Sequence, residues 1–323
     1  MRTTSVVVPT FNGARRLQRL LASLAIQTAD HQVVVVDNGS TDGTRALLRA
    51  RFPHVELVGH ATNEGFGRAV NIGARRAVGD TLVLLNDDCV CDATFVESLT
   101  GALDPGRGVV MAAGVLASAH NPAMIESAGM ELDRTLLVWE YLHGEPLSVL
   151  DGPVRDPVGP SAAAAAFDRS AFLDAGGFDE RLFAYWEDVD LVLRLRLDGA
   201  RCALARDARG VHEHSATLGW GSPRKNYLMG FGRGYLLRKW SVVSPRRAGS
   251  VVARDLVLCL GQAALDGNVA GVRGRLDGYR AAGTVRRRAY PGAVALAADG
   301  PTAARTLARR LRRRAALRRA SRS

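Results

Sequence analysis

The sequence predicts an α/β fold with a mainly parallel central sheet flanked by helices, followed by a helical C-terminal appendage. Short runs rich in Val and Leu alternate with helical patterns over the first hundred residues, which is typical of βαβ units. The composition, 47% hydrophobic and 23% charged over 323 residues, is that of a globular protein with an ample core. From Pro223 onward the pattern becomes helical and basic, and the appendage is predicted to begin there.

The first part of the chain is predicted to supply four strands and the helices between them. The strands are expected at SVVVPT, QVVVVDNGSTD, VELVGH and TLVLLNDD, and the helices at LQRLLASLAI, TRALLRARF and GRAVNIGARRAV. One leucine stripe has spacings of three, four and seven, so its members share a helix face that packs on the sheet. The stripe is predicted to be core and consists of Leu17, Leu20, Leu21 and Leu24.

The second part of the chain has a looser pattern. A strand is predicted at VVMAAGVL, followed by an irregular polar stretch to about residue 157. The alanine run in GPSAAAAAFDRSAF could be a linker, but Phe167, Phe172 and Phe178 favour an inner strand and a short helix. A helix is expected after WEDVD, and then two strands at RCALA and GVHEHS. The predicted boundaries are 1–222 for the α/β domain, with halves at about 1–112 and 113–222, then 223–304 for the helical region and 305–323 for an arginine-rich tail.

The net charge of +11 is unevenly distributed. Residues 305–323 hold nine arginines and no acid, which leaves +2 for the rest of the chain. Such a terminal run is most often a solvated tail, with an anionic membrane surface or nucleic acid as alternatives, of which nucleic acid is the weaker. The four irregularly spaced cysteines indicate a reducing, cytoplasmic setting. We expect neither a signal peptide nor a membrane span, because the longest apolar runs fall short of about 20 residues.

Polar side chains follow each predicted strand, where open α/β sheets bind their ligands. The LLNDDC run places Asp87 and Asp88 at the sheet edge, where two carboxylates repel each other unless a cation lies nearby. Hard oxygen ligands of this kind suit Mg²⁺ or Mn²⁺ held together with a diphosphate, although the motif could equally cap the helix that follows. His212, in the HEH run, is a candidate nitrogen ligand or a structural histidine.

The stretch RLFAYWEDVDLVLRLRLDG places aromatic residues directly before Glu187, Asp188 and Asp190. Acidic residues often cap a helix start, but capping needs one carboxylate and this stretch has three. Aromatic walls around a carboxylate also describe a tuned base in a cleft. A Rossmann dinucleotide site is not supported, because PTFNGARRL offers only Gly13, and neither a nucleotidyltransferase glycine turn nor a P-loop is present.

Several stretches together resemble the family 2 glycosyltransferases with the GT-A fold, in particular bacterial rhamnosyltransferase-like members. They are VVVPTFNGARRLQRLLASL, VVVVDNGSTDGT, NEGFGRAVNIGARRAVGD, LVLLNDDC, GGFDERLFAYWEDVDLVLRLRLDGAR and VHEHS, and they cover about residues 4–240 in order. The resemblance implies an inverting, metal-dependent transferase that moves a sugar from dTDP-rhamnose or a UDP-sugar to a hydroxyl. The implied acceptor is a cell-envelope glycan, a lipid-linked molecule or a natural product. A non-catalytic nucleotide-sugar-binding or membrane-associated scaffold is the alternative.

The resemblance also implies a role for each candidate residue. Asp37 would accept a hydrogen bond from the base, Asp87 would face the ribose, and the remaining donor-binding residues would be Pro9, Thr10, Asn12, Asn63, Gly65 and Arg68. Asp88 and His212 would hold Mg²⁺ or Mn²⁺. Asp188 would be the catalytic base and Glu187 its neighbour in catalysis, while Trp186 and Asp190 would bind the acceptor. The enzyme is expected in the cytoplasm, with peripheral contact to the inner face of the membrane through its C-terminal region.

Overall fold

The computed structural model of the chain describes residues 2–213, 219 and 221–290. It divides into two compact units. The first, here called the sheet unit, comprises Met1–Glu131 and Val138–Gly219. The second, the helical unit, comprises Leu132–Leu137 and Trp220–Ser323. The short segment Leu132–Leu137 lies within the range that the sequence assigns to the α/β domain, yet it belongs to the helical unit.

The sheet unit contains eleven strands and six helices among the described residues. Its strands are β1 (Thr4–Thr10), β2 (Gln32–Asp37), β3 (Glu56–Gly59), β4 (Thr81–Leu85), β5 (Cys89–Cys91), β6 (Val109–Ser118), β7 (Asn121–Ser127), β8 (Met130–Leu132), β9 (Val138–Glu140), β10 (Ala164–Asp168) and β11 (Arg201–His212). Its helices are α1 (Ala14–Leu24), α2 (Thr44–Arg51), α3 (Phe66–Arg76), α4 (Phe95–Gly101), α5 (Arg169–Asp174) and α6 (Glu187–Leu197).

The main sheet has the strand order β3-β2-β1-β4-β10-β6-β11-β5, with β7 added beside β6. Strands β1 to β4 pair in parallel, as do β6 and β11, whereas β10 runs antiparallel between β4 and β6. Because β1, β2 and β4 are parallel, their carboxyl ends lie at one edge of the sheet. That edge carries the polar residues predicted to bind a ligand.

The first four strands and three helices confirm the sequence-based prediction. The leucine stripe of α1 is buried, since Leu17, Leu20, Leu21 and Leu24 are at most 3% exposed. The alanine run forms the inner strand β10, where Ala165 and Ala166 pair with alanines of β6. The short helix α5 follows it directly.

Two predictions for the second part of the chain were wrong. RCALA and the first three residues of GVHEHS belong to one strand, β11, whose register shifts between Leu204 and Arg209. The extra residues at this irregularity interrupt the pairing with β6, which is why the sequence pattern looks like two strands. The stretch expected to be irregular forms β7, β8 and β9, whose short length gives little periodicity.

The helical unit contains α7 (Pro223–Lys239), α8 (Ala248–Asp266) and α9 (Ala270–Ala281), which confirms a helical C-terminal region. Helices α7 and α9 approach each other closely through glycines. A Cβ atom on Gly274 would lie 2.1 Å from the carbonyl oxygen of Tyr227, and one on Gly278 would lie 1.9 Å from that of Phe231. Small residues four apart let two helix backbones pack this tightly.

Helix α8 is the element that bears on the expectation of no membrane span. It is 19 residues long, has a mean hydropathy of 1.4 over its most apolar window, and only 17% of that window is buried. It is the one helix among the described residues that is long and apolar enough to cross a membrane, by length and composition alone. The predicted arginine-rich tail, 305–323, lies outside the described residues.

Candidate active site

The ends of β1 and β4 meet at a buried carboxylate. The hydroxyl of Thr10 donates to Oδ2 of Asp87 over 2.6 Å, and Arg16 in the first turn of α1 lies 3.3 Å from Oδ1. Burial raises the pKa of Asp87, although the charge of Arg16 and the Thr10 hydroxyl oppose the effect. Arg16 is therefore a cation held beside the carboxylates of the predicted motif. Pro9, the residue before Thr10, is a buried member of β1 that pairs with Val36.

The end of β2 presents a second buried carboxylate. Asp37 has no exposed surface, its Oδ1 accepts from the Ser40 amide over 3.2 Å, and its Oδ2 pairs with Arg45. Asn12 faces the same loop, because its amide donates to the Ser40 hydroxyl and its side-chain oxygen accepts from the Thr41 amide, each over 2.8 Å. Asn12 has a φ of 49°, a left-handed conformation that asparagine tolerates better than most residues. The structure thus brings Asn12 and Asp37 to one loop.

Asn63 and Gly65 shape the start of α3. The side-chain oxygen of Asn63 accepts from the amide of Gly65 and from Asn38, each over 3.0 Å. Gly65 has a φ of 98°, and a Cβ atom there would lie 2.6 Å from the carbonyl oxygen of Phe183. Only glycine therefore permits the contact between α3 and the loop that leads to α6. Arg68, on α3, is half exposed and pairs with Glu64 over 2.8 Å.

Asp88 and His212 form a second acidic centre, next to the one at Asp87. Nε2 of His212, at the end of β11, lies 3.0 Å from Oδ1 of Asp88, and Nδ1 lies 3.2 Å from Oε1 of Glu126 on β7. All three side chains are at most 8% exposed. Burial alone lowers the pKa of His212, but its contacts with the two carboxylates outweigh this and raise it to about 10.

The donor set at this centre fits a divalent cation. Asp88, Cys89 and His212 each offer one ligand atom, all within 4.8 Å of one another. Burial raises the pKa of the Cys89 thiol well above its usual value, which disfavours the thiolate that a metal needs, and binding through His212 requires the cation to displace the proton of the imidazole. Oδ1 of Asp88 is buried and faces Nε2 of His212. A carboxylate oxygen in this state is suited to a cation.

The loop before α6 positions the third acidic centre. Tyr185 and Trp186 both have positive φ values, 71° and 77°, which are unfavourable for aromatic residues and cluster at functional sites in proteins. Glu187 and Asp188 follow in the first turn of α6. Oδ2 of Asp188 accepts from the Ala162 amide over 3.3 Å, whereas Oε2 of Glu187 is buried with no hydrogen-bond partner among the described residues.

Burial favours the protonated forms of this pair of carboxyl groups. It raises the pKa of Glu187 well above its usual value, and the charge of Asp188 adds to the effect. Burial also raises the pKa of Asp188, while the amides of Ala162 and Val189 hold it down. Two neighbouring carboxyl groups share their protons, and the one with amide donors is the more stable as an anion. Asp188 is accordingly the better-placed base.

Short connections link the three acidic centres. Ala162 donates to Asp188, and the carbonyl of the next residue, Ala163, accepts from the amide of Asn86 over 3.2 Å. The two residues that precede β10 therefore connect the start of α6 to the end of β4. Glu140, at the end of β9, lies near enough to Asp188 for the two charges to interact. Burial raises the pKa of Glu140 to about 7, and the charge of Asp188 adds to the effect.

Asp190, in the first turn of α6, is enclosed by its neighbours. Its carboxylate has no exposed surface and accepts from Nε of Arg194 over 2.9 Å. Arg194 in turn donates to the carbonyl oxygens of Ala175 and Gly177. A carboxylate enclosed in this way helps to fix the loop before α6, and acceptor binding by Asp190 stays a prediction. Trp186 is 9% exposed.

Sequence reasoning missed three residues of the site: Arg16, Glu126 and Glu140. A signal existed for Arg16, because adjacent carboxylates at a sheet edge require a cation, but nothing in the spacing says which arginine supplies it. Glu126 and Glu140 lie on β7 and β9, in the stretch without recognisable periodicity. Their positions depend on how β7 pairs with β6 and β9 with β8, which the sequence does not encode locally.

The chain is similar to a known protein family and to characterised members of it. Residues 5–162 match the family described as Glycosyl transferase family 2. The chain is 32% identical over 241 residues to an N-acetylglucosaminyl-diphospho-decaprenol L-rhamnosyltransferase of Mycobacterium tuberculosis, covering 66% of this chain and 77% of the relative. It is 30% identical over 237 residues to a validoxylamine A glucosyltransferase of Streptomyces hygroscopicus subsp. jinggangensis, covering 64% of this chain and 54% of the relative.

Solved glycosyltransferase structures share the fold. A structure of GalNAc-T7 with UDP, GalNAc and Mn²⁺ superposes with a TM-score of 0.64 at 16% identity, covering 93% of this chain and 58% of the other. A Pyrobaculum calidifontis mannosyltransferase in complex with GDP-Man and Mn²⁺ superposes with a TM-score of 0.54 at 20% identity, covering 92% and 79%. This likeness confirms the predicted GT-A fold.

Proposed function

The chain belongs to glycosyl transferase family 2, and we propose that it transfers a sugar from a nucleoside-diphosphate donor, with inversion and with a divalent cation, to an acceptor hydroxyl. One observation carries the proposal. The Asp88–His212 pair and the Glu187–Asp188 pair lie in one unit, joined through the consecutive residues Ala162 and Ala163. A charged leaving group needs a cation site, and an attacking hydroxyl needs a base, and the two must be close.

Asp188 is the base in this proposal. Its carboxylate takes the proton of the acceptor hydroxyl while the hydroxyl oxygen forms a bond to the anomeric carbon. The bond between that carbon and the phosphate oxygen breaks on the opposite face, and the nucleoside diphosphate leaves with the electron pair. The partly buried position of Asp188 supports this role, because a pKa raised by burial brings a carboxylate nearer the range in which a base works well.

The leaving diphosphate lies at the other acidic centre. Asp88 and His212 would hold Mg²⁺ or Mn²⁺ there, which when bound stabilises the developing negative charge on the diphosphate. Arg16 adds a positive charge beside Asp87 at the same sheet edge. Asp37, Asp87 and the Asn63–Gly65 turn would bind the nucleoside, since their polar atoms lie at the carboxyl ends of β1, β2 and β4 or at the start of α3.

We propose dTDP-rhamnose as the first donor to test and UDP-hexoses as the second. The rhamnosyltransferase named above supports this order, because it is 32% identical to this chain. That relative is named for a substrate carried on diphospho-decaprenol, which supports a lipid-linked glycan acceptor here over a soluble one. A cytoplasmic location is part of the proposal, supported by four free cysteines of which three are buried.

Calorimetry with purified protein tests the proposal. In the presence of Mn²⁺, dTDP or UDP should bind, and the matching nucleotide sugar should be turned over when an acceptor is supplied. The Asp188→Asn variant should keep donor affinity and lose transfer. A scaffold that only binds nucleotide sugars would behave the same with and without this substitution and would show no transfer. Failure of every nucleotide diphosphate to bind in Mn²⁺ would refute the proposed donor site.

A further inference from the structure

Helix α8 exposes a continuous apolar stripe to solvent. Val252, Leu256 and Leu260 recur every fourth residue and are 63%, 57% and 60% exposed. Residues at this spacing lie on one face of a helix. Helix α9 and the residue before it also expose large apolar side chains, namely Val269, Val272, Leu276 and Tyr279. Single exposed apolar residues are ordinary, but a contiguous set on adjoining helices marks an interaction surface.

The other side of α8 is tied to the rest of the helical unit by polar contacts. Oδ1 of Asp255 accepts from Nε of Arg275 on α9 over 2.9 Å, and Oδ2 accepts from Arg233 on α7 over 3.2 Å. Arg254 pairs with Asp133 and donates to the hydroxyl of Thr135 over 3.2 Å. The apolar stripe therefore faces outward because the opposite side of the helix is already engaged.

The region around the stripe is strongly basic. Residues 221–290 hold 14 Lys and Arg against three acidic residues, a net charge of +11. Arg273 and Arg280, in the same helix as Val272 and Leu276, have side chains that are 82% and 75% exposed. Arg246 and the run Arg286, Arg287 and Arg288 are exposed as well. Exposed apolar residues and arginines on one helix are the composition of helices that lie in a membrane interface.

We propose that α8 and α9 dock on the surface of an anionic phospholipid bilayer, with the stripe Val252–Leu256–Leu260 inserted among the lipid headgroups. Charge complementarity selects this occupant. Each basic residue near an anionic leaflet adds attraction, and the leucines add apolar burial. A second copy that docks through the same face is a poorer partner, because it would bring two regions of charge +11 together. Binding of nucleic acid would not require the apolar stripe within the basic region.

The same contacts argue that α8 lies along the bilayer and does not cross it. A crossing helix would carry Arg254 and Asp255 into the hydrocarbon layer, at a cost of several kcal/mol for charged groups near the centre. It would also have to break the ion pairs of Asp255 with α7 and α9. Docking along the surface keeps Arg254 and Asp255 out of the hydrocarbon layer and preserves the ion pairs of Asp255.

Co-sedimentation of the full chain with vesicles tests this surface. The wild type should bind vesicles of mixed phosphatidylglycerol and phosphatidylcholine, bind pure phosphatidylcholine far less, and dissociate as salt is added. The double variant Leu256→Asp, Leu260→Asp should lower the partition coefficient by at least about tenfold. The matched control Ile26→Asp, Val78→Asp changes residues of the sheet unit that are 65% and 76% exposed, and it should bind as the wild type does. Thermal unfolding of both variants checks that they fold.

Four results would overturn the proposal. Equal vesicle binding by the Leu256→Asp, Leu260→Asp variant would remove the stripe from the contact. Loss of binding on deletion of 305–323, with no effect of the stripe substitutions, would assign the membrane contact to the tail. Conversion of a dimer to a monomer by the stripe substitutions, with vesicle binding unchanged, would make the stripe an interface between copies. Resistance of the membrane-bound wild type to alkaline carbonate would mean that α8 crosses the bilayer.

Discussion

The two units of this protein carry opposite charge and use it differently. Residues 1–219 hold 20 Lys and Arg against 28 acidic residues, a net charge of −8, whereas residues 221–290 carry +11. In the sheet unit several carboxylates are buried in clusters at the candidate site. In the helical unit the arginines are mostly exposed and surround apolar residues. The small net charge of the chain outside its tail therefore results from a negative sheet unit and a positive helical unit.

The largest effect is expected at the proposed base. Asp188→Asn removes the group that accepts the proton, so the rate of transfer should fall by about 10²- to 10⁴-fold while donor affinity stays unchanged. Single-turnover assays and calorimetry measure the two quantities. Glu187→Gln is the matched control, and it should cost less. A larger loss in Glu187→Gln than in Asp188→Asn would move the base to Glu187.

The next effect belongs to the proposed cation ligand in the same unit. Asp88→Ala removes the carboxylate that faces His212 and that would hold the cation. The negative charge of the diphosphate would then be uncompensated, and transfer should fall by at least about a hundredfold. Titration calorimetry of a nucleoside diphosphate in Mn²⁺ should show the loss of metal-dependent binding. Unchanged affinity in Mn²⁺ would rule out this role for Asp88.

Glu126→Gln should give a smaller effect at the same site. Glu126 contacts Nδ1 of His212, and partners of this kind orient a ligating histidine, so Mn²⁺ affinity should fall by about 10- to 100-fold. Electron paramagnetic resonance of bound Mn²⁺ measures the affinity without reference to turnover. Glu145→Gln is the control, because Glu145 is exposed and should have no influence on the metal. An unchanged affinity in Glu126→Gln would show that His212 does not need this partner.

A glycine substitution in the helical unit should lower the free energy of unfolding without affecting nucleotide binding by the sheet unit. Gly274→Ala places a Cβ atom 2.1 Å from the carbonyl oxygen of Tyr227, so α7 and α9 must move apart, at a cost of about 1–3 kcal/mol in the free energy of unfolding. Gly249→Ala, where nothing lies within 4 Å, should be neutral or slightly stabilising. Thermal unfolding measures both, and nucleotide binding by the sheet unit should be unaffected. Equal stability of the two variants would contradict the close helix packing.

The smallest effect concerns the thiols. Burial raises the pKa of Cys91 to about 12, and it also raises the pKa of Cys259 on α8, which is only partly buried. A thiol reacts as its thiolate and must be accessible, so Cys259 should be the first of these two to react with a disulfide reagent. Mass spectrometry after brief labelling identifies the site. Earlier labelling of Cys91 would mean that the sheet unit opens more readily than the helical unit.

Local patterns in the sequence determined the first half of the fold. Runs of Val and Leu that end in polar residues predicted β1, β2 and β4, and the leucine spacing predicted the buried face of α1. These patterns are reliable because burial on both faces of a parallel strand and on one face of a helix imposes a short repeat. The stretch from β7 to β9 lacked such a repeat, since each strand is short and paired over few residues.

The residue types of the site can be read from the sequence, which marks Asp88, His212, Glu187 and Asp188 as candidates. Which of these side chains meet depends on the fold. The fold pairs Asp88 with His212 from a strand far along the chain, adds Glu126 to the histidine, and buries Asp190 against Arg194. A carboxylate's role depends on the charges and amides within a few ångströms of it. Those neighbours come from β7, β10 and β11, whose pairing in the sheet is set by contacts across the whole unit.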